Sequence, residues 1–179
     1  MQSFIKKTHP RGYILLLIFS LSIVVSCHRE TEISSVDPVN WEKRKTDARK
    51  LDNLVMQSTY LPVYSQIYQR TEKHLYNLTT TVSIRNISTV DSVFISRADY
   101  YNTEGNLIRT YFNFPVFVRP LETIEIVIDE TDTHGGTGGN FIFEWATRSG
   151  IQDPLFEAVM ISTTGQQGLS FTTRGVKRL

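Results

Sequence analysis

Apolar and aromatic residues in the second part of the chain come in short runs, and turn residues separate them. From residue 58 onward several runs alternate with polar positions, as around Ile124, Ile126 and Ile128. A period of two is typical of a strand with one buried and one wet face. The pattern predicts eight strands, at residues 60–68, 78–87, 93–101, 107–114, 121–129, 140–147, 156–162 and 169–173.

One tetrapeptide between two of these strands has the composition of a tight turn. It is Thr103-Glu104-Gly105-Asn106, in which Gly105 suits a position with positive φ. The flanking strands are therefore predicted to pair antiparallel. Strands of this number without a long helix predict an all-β domain over residues 58–179, an antiparallel immunoglobulin-like β-sandwich of about 7 to 8 strands. A small β-barrel is the alternative.

The N-terminus differs from the rest of the chain. Lys6, Lys7 and Arg11 precede an apolar run at residues 13–25. This run is shorter than the roughly 20 residues that a membrane-spanning helix needs, and the cations precede it as in an export signal. Residues 1–26 are therefore predicted to be a signal peptide.

The end of the apolar run resembles the bacterial lipobox. Val24-Val25-Ser26 precedes Cys27, the one cysteine of the chain. The resemblance implies cleavage before Cys27 and a diacylglycerol on its sulfur, with acyl chains such as palmitate as the membrane anchor. Two or three acyl chains hold a protein firmly, because each buried methylene contributes about 0.8 kcal/mol. The expected location is the cell envelope, periplasmic or surface-facing, with the membrane as one partner.

Residues 27–57 are dense in charge and cannot form a core. After Asp37-Pro38, apolar residues fall loosely at helical spacing: Trp41, Ala48, Leu51, Leu54 and Val55. The segment is thus either a short helix against the domain or a solvated spacer. In both cases it is predicted to tether the domain to the lipid surface.

Composition excludes several classes of function. The 19 Lys and Arg residues nearly cancel the 18 Asp and Glu residues, which leaves no cationic surplus for nucleic acid. A single cysteine excludes an internal disulfide and a zinc site made of several thiolates. No motif for a cofactor is present, and none is expected.

The loop at residues 129–139 is rich in glycine and begins with acidic residues. Without a following Gly-Lys-Ser/Thr motif, nucleotide binding is excluded. A hard cation such as calcium is one hypothesis, with ligands Asp129, Glu130, Asp132 and His134. The favoured interpretation is a flexible loop whose charges stay solvated.

Two glutamates form a second candidate constellation. Glu144 and Glu157 lie on predicted neighbouring strands beside Trp145. Paired carboxylates about 5 to 9.5 Å apart catalyse glycoside hydrolysis, so an envelope hydrolase directed at glycans is the alternative function. The favoured interpretation is that these glutamates lie on a wet face or pair with an arginine such as Arg85 or Arg174.

Several motifs occur in the order typical of one bacterial family. They are Pro62-Val63-Tyr64-Ser65, Ile84-Arg85-Asn86, Tyr100-Tyr101, Gly135-Gly136-Thr137-Gly138-Gly139-Asn140-Phe141, Glu144-Trp145, Glu157-Ala158-Val159-Met160-Ile161 and Gly168-Leu169-Ser170-Phe171-Thr172. From about residue 60 to 175 the chain resembles the bacterial domain of unknown function 3124. The resemblance implies an exported bacterial domain and supplies no catalytic residues. The leading hypothesis is a lipid-anchored, non-catalytic module that either binds an envelope protein or glycan or acts as a structural accessory of another envelope component.

Overall fold

The computed structural model describes residues 39–163 and 168–178. The predicted signal peptide, Cys27 and the first part of the predicted tether lie outside the described residues. Within the described part of the chain, no helix is long and apolar enough to cross a membrane.

The described residues form twelve strands, more than the eight predicted, because several are short. They are β1 (Val55–Pro62), β2 (Gln66–Gln69), β3 (Thr71–Asn77), β4 (Thr79–Arg85), β5 (Val93–Tyr101), β6 (Leu107–Phe112), β7 (Val116–Val118), β8 (Thr123–Ile128), β9 (Asn140–Thr147), β10 (Leu155–Ser162), β11 (Leu169–Arg174) and β12 (Val176–Arg178).

Two antiparallel sheets and one hairpin make up the domain. The larger sheet has the order β12-β1-β9-β5-β6, with β7 also paired to β5, and the smaller has the order β11-β10-β4-β8. Strands β2 and β3 pair only with each other. The predicted all-β sandwich is confirmed, and the described strands do not close into a barrel.

Aromatic rings from the two sheets meet in the core. Phe143 of β9 stacks on Phe156 of β10 with ring centroids 4.7 Å apart. Trp145, also on β9, is buried against the same ring and donates a hydrogen bond of 2.9 Å from Nε1 to Thr59 Oγ1. Burial of large rings, with their polar edges satisfied, holds the two layers face to face.

The predicted single strand at residues 60–68 is wrong. Strand β1 begins earlier, at Val55, and ends at Pro62, which has no amide hydrogen to continue a ladder. Strand β3 was not predicted, because most of its side chains are polar and exposed and show no alternation.

The predicted hairpin around Gly105 is confirmed: β5 and β6 pair antiparallel and Gly105 has φ of 81°.

The segment before β1 lies against the sandwich from residue 39 onward. It contains two short 3-10 helices, Glu42–Arg44 and Ala48–Leu51, in place of a longer helix. Val39 is buried in the core, and Trp41 contacts Phe112 with ring centroids 4.6 Å apart. The described part of the predicted tether therefore covers one edge of the larger sheet.

Strand register gives the sandwich two distinct ends. We call one of them the proximal end. It consists of residues 39–54, which lead into β1, and of the loops at 86–92 and 119–122. The register places these loops together, because Arg85 pairs with Thr123 and Val93 with Val118. The distal end holds the turn at 102–106, the loop at 129–139 and the β2–β3 hairpin. Strand β9, of eight residues, separates the ends by about 26 Å.

Candidate functional site

Asp132 is the centre of a polar cluster at the distal end. Its side chain is wholly buried, although it lies in the loop between β8 and β9. Arg109 of β6 donates from both Nη1 and Nη2 to Oδ2 of Asp132, each at 3.1 Å. Nη1 of Arg109 also donates to the Tyr111 hydroxyl at 3.0 Å. The predicted solvated loop is therefore wrong for Asp132.

His134 contacts the other oxygen of the Asp132 carboxylate. The backbone amide of His134 donates to Asp132 Oδ1 at 3.3 Å, and ring Nδ1 lies 2.9 Å from the same oxygen. Since a carboxylate only accepts, Nδ1 carries the proton in this contact. The His134 side chain is 57% exposed, so the ring is open to solvent although Nδ1 contacts a buried carboxylate.

Electrostatics fix Arg109 in its charged form. Burial acts to lower the pKa of Arg109, but its contacts with Tyr111 and Asp132 outweigh burial and raise that pKa above its ordinary value. A buried charge pair is costly to break, because either partner alone remains uncompensated in a medium of low dielectric constant. The pair therefore locks the loop onto β6.

The glycine-rich part of the loop packs against a second buried contact. The Tyr100 hydroxyl lies 2.7 Å from Ser65 Oγ, and burial is the main reason that the pKa of Tyr100 is raised to about 12. A Cβ at Gly135 would lie 1.8 Å from the Tyr100 hydroxyl oxygen. Only glycine fits at this position, and the loop approaches the core as closely as its backbone permits.

Thr103 connects the β5–β6 turn to the same loop. Its Oγ1 donates to the carbonyl of Gly135 at 3.0 Å and accepts from the amide of Gly138 at 2.9 Å. These bonds satisfy loop backbone groups that would otherwise need water. Thr103 thus hydrogen-bonds to the loop, and Tyr100 packs against the loop backbone at Gly135.

The β2–β3 hairpin is attached to this loop through one carbonyl. Gly136 O accepts from the amides of Ser65 and Gln66, both at 3.1 Å. Tyr68 and Leu75 lie directly opposite each other on the hairpin and are 60% and 43% exposed. An exposed aromatic and aliphatic pair thus shares the distal end with His134.

The four residues of the cation hypothesis serve different contacts. Asp129 Oδ1 accepts from the amide and the hydroxyl of Thr131, at 2.8 and 2.7 Å, and these bonds lower the pKa of Asp129. Asp132 is bound to Arg109 and His134, and Glu130 has an interaction of its own. Over residues 39–163 and 168–178, no group of three or more His, Cys, Asp or Glu side chains is arranged to hold a metal ion.

The structure does not bring Glu144 and Glu157 together. Glu144 is on β9 of the larger sheet, and Glu157 is on β10 of the smaller sheet. Both alternate with buried residues, so they point outward from opposite faces, and stacked sheets are about 10 Å apart before side chains are added. This separation exceeds the range for an acid–base pair. The predicted partner of Glu157 is confirmed: Arg85 Nε lies 3.4 Å from its Oε2.

Sequence reasoning named Asp132 and His134 but missed the residues that hold them. Arg109 is the most informative omission, because a cation inside the apolar and aromatic strand β6 is a signal of a buried partner. Tyr100, Ser65 and Thr103 carry no comparable signal, since hydroxyl side chains are common on strands and turns.

Comparison with known proteins gives a family. The family described as "Protein of unknown function (DUF3124)" matches residues 56–177. No curated protein matches the chain. A solved structure, "Crystal Structure of Thermotoga maritima 1070", is similar at 12% sequence identity over 67% of this chain and 92% of that chain. Its TM-score of 0.45 is too low to support an inference about function. The family match spans most of the chain and confirms the resemblance, and the chain therefore belongs to the DUF3124 family of proteins of unknown function.

Proposed function

We propose that this protein is a lipid-anchored component of the bacterial cell envelope, a non-catalytic module that binds an envelope protein or glycan through its distal end. Acyl chains on Cys27 hold it at the membrane. The charged segment then leads into the sandwich at the proximal end, and the distal end points away from the lipid.

One contact carries the binding part of this proposal: Gly136 O accepts from the amides of Ser65 and Gln66. It couples the start of the β2–β3 hairpin to the loop that Asp132 holds, so the exposed pair Tyr68 and Leu75 stands on a hairpin that is fixed to the loop of His134. A surface that is already ordered loses little conformational entropy when it binds. Exposed aromatic side chains are also the residues that contribute most at interfaces.

The anchoring part rests on the sequence around Cys27, which resembles a lipobox. Val39 is buried at the proximal end, and residues 28–38, fully extended, span at most about 40 Å. This length sets an upper limit on how far the domain can lie from a membrane that holds Cys27. The distal end lies about 26 Å along β9 from the end at which the tether enters the sandwich.

Fractionation of cells tests the anchor. Wild-type protein is expected in the membrane fraction and in the detergent phase, whereas the Cys27→Ser variant is expected in the soluble exported fraction or as uncleaved precursor. Equal membrane recovery of the mature Cys27→Ser variant would contradict lipid anchoring.

Cross-linking in intact cells tests the binding surface. The variants Tyr68→Ala and Leu75→Ala should lose the cross-linked complex seen with wild type, because each removes half of the exposed pair. Val176→Ala is the matched control, since Val176 is 65% exposed on β12, outside the distal end. A complex that survives both hairpin substitutions, or that Val176→Ala abolishes equally, would contradict binding through this surface.

A further inference from the structure

Three aliphatic side chains are exposed on two adjoining loops of the proximal end. Val90 is 80% exposed, Leu121 67% and Ile87 41%. The loops are hydrogen-bonded to each other: the Leu121 amide donates to Ser88 O at 3.0 Å, and the Asn86 amide donates to Glu122 O at 2.9 Å. We call Ile87, Val90 and Leu121 the apolar tip.

The fold alone does not favour a leucine at position 121, because the backbone conformation there suits a smaller residue. It has φ of 57°, in a turn that the Glu122 amide closes onto Arg119 O at 3.1 Å. Glycine or asparagine normally occupies such a position, because a bulky side chain is strained there. Leu121 is both strained and exposed, so its side chain contributes little to folding and is available for an outside contact.

Several cations lie at the same end of the sandwich as the apolar tip, and two nearby carboxylates are already neutralised by ion pairs. Asp91 pairs with Arg148 at 3.0 Å and Glu122 with Arg44 at 2.8 Å. Among the described residues, three cations at this end form no ion pair: Lys43, Lys50 and Arg119. The carboxylate of Asp52 forms no ion pair either. Lys43 and Arg119 line one cavity with Val39, and Lys50 lines another with Val90.

We infer that the apolar tip contacts the lipid surface directly, with Val90 and Leu121 in the boundary between headgroups and acyl chains and the flanking cations on anionic headgroups. This inference rests on the proposed function, because the tether from Cys27 reaches the domain beside Val39, at this same end. The tether alone permits many orientations. Insertion of aliphatic side chains, supported by cations, selects the one in which the distal end faces away from the membrane.

The experiment uses mature lipidated protein in vesicles of phosphatidylethanolamine and phosphatidylglycerol. A Val90→Cys variant is labelled with an environment-sensitive fluorophore, and lipids that carry a spin label on the acyl chain serve as quenchers. Because acylation occupies the sulfur of Cys27, the added thiol is the one that reacts. Leu75→Cys, exposed at the distal end, is the matched control.

The expected result is strong quenching at position 90 and little at position 75, with less quenching at position 90 when phosphatidylglycerol is omitted. Vesicle-bound protein with equal, weak quenching at both positions would overturn the inference and leave the lipid anchor intact. Protein that shows a free Cys27 thiol and stays off the vesicles would overturn both proposals.

A second variant separates membrane contact from stability. Leu121→Gly removes the side chain and relieves the left-handed strain, so its thermal midpoint should equal or exceed that of wild type. In the Val90→Cys background it should reduce quenching at position 90. Unchanged quenching with an intact fold would show that Leu121 does not touch lipid and would contradict the inference.

Discussion

Arg109 binds the buried carboxylate of Asp132 through two hydrogen bonds of 3.1 Å, across 23 positions of the sequence. This contact joins an edge strand of the larger sheet to the loop between β8 and β9. It leaves the second carboxylate oxygen for His134. The loop is thereby part of the folded domain, and its order is the basis of the binding surface.

Asp132→Asn should be strongly destabilising. The substitution leaves the Arg109 charge partly buried without its counter-ion, and breaking a buried pair in this way costs about 3 to 5 kcal/mol. Urea unfolding at neutral pH measures the loss. Asp129→Asn is the control, because the Asp129 side chain is exposed and accepts hydrogen bonds from Thr131 without a cationic partner. A loss no larger than that of the control would contradict the role of the buried pair.

Gly135→Ala should destabilise the domain by several kcal/mol, roughly 3, because overpacking against a buried group forces backbone shifts. The new Cβ would lie 1.8 Å from the Tyr100 hydroxyl oxygen and 2.5 Å from Ser65 Oγ. Thermal unfolding provides the measurement. Gly168→Ala is the control, where the closest atom is 3.8 Å away and little change is expected. Equal midpoints for the two variants would show that the loop has room at Gly135.

Tyr100 gives the domain a specific alkaline dependence. Burial raises its pKa from 10.0 to about 12, so the unfolded chain releases this proton before the folded protein does. The stabilisation of the folded state by protonated Tyr100 is complete below pH 10 and is lost as pH rises through about 12. The free energy of unfolding changes by about 2 to 3 kcal/mol over this range.

Tyr100→Phe should therefore show a flatter decline of unfolding free energy above pH 10. At neutral pH it should lose about 1 kcal/mol, because Ser65 no longer has its partner. Urea titrations between neutral pH and pH 12 measure both effects. An alkaline decline as steep as that of wild type would contradict the assignment.

Glu122 gives an acid dependence of opposite sign. Its hydrogen bond from Arg44 is the main cause that lowers the pKa of Glu122 below 4.5, so the unfolded chain takes up this proton first. The stabilisation is present above pH 4.5 and is lost as pH falls below that value. Glu122→Gln should cost about 1 kcal/mol at neutral pH and weaken the acid dependence, as measured by urea unfolding. A Glu122→Gln variant that is as stable as wild type at neutral pH, and equally sensitive to acid, would contradict this role of Glu122.

How far the sequence predicts this structure depends on the kind of pattern. Strand β8 was predictable because Ile124, Ile126 and Ile128 face the core and their neighbours do not. Strand β3 was not, since a hairpin outside the two sheets buries few side chains and leaves no period of two. The alternation of apolar and polar residues in a strand reflects the burial of one of its faces. A strand that is hardly buried therefore shows no such alternation in the sequence.

The site was predictable in part for a related reason. Asp132 and His134 stand two positions apart, so the sequence placed them in one loop. Arg109 and Tyr100 meet this loop through sheet pairing, which a single sequence does not specify. Likewise, Glu144 and Glu157 were expected on neighbouring strands, but the order of the strands places them in different sheets.

The decisive measurement for lipid anchoring is the mass of the mature protein purified from membranes. We expect a chain that begins at Cys27 and carries the added mass of a diacylglycerol, with or without a further acyl chain on its amine. An unmodified residue 27, or an N-terminus at Met1, would contradict lipid anchoring and the orientation built on it.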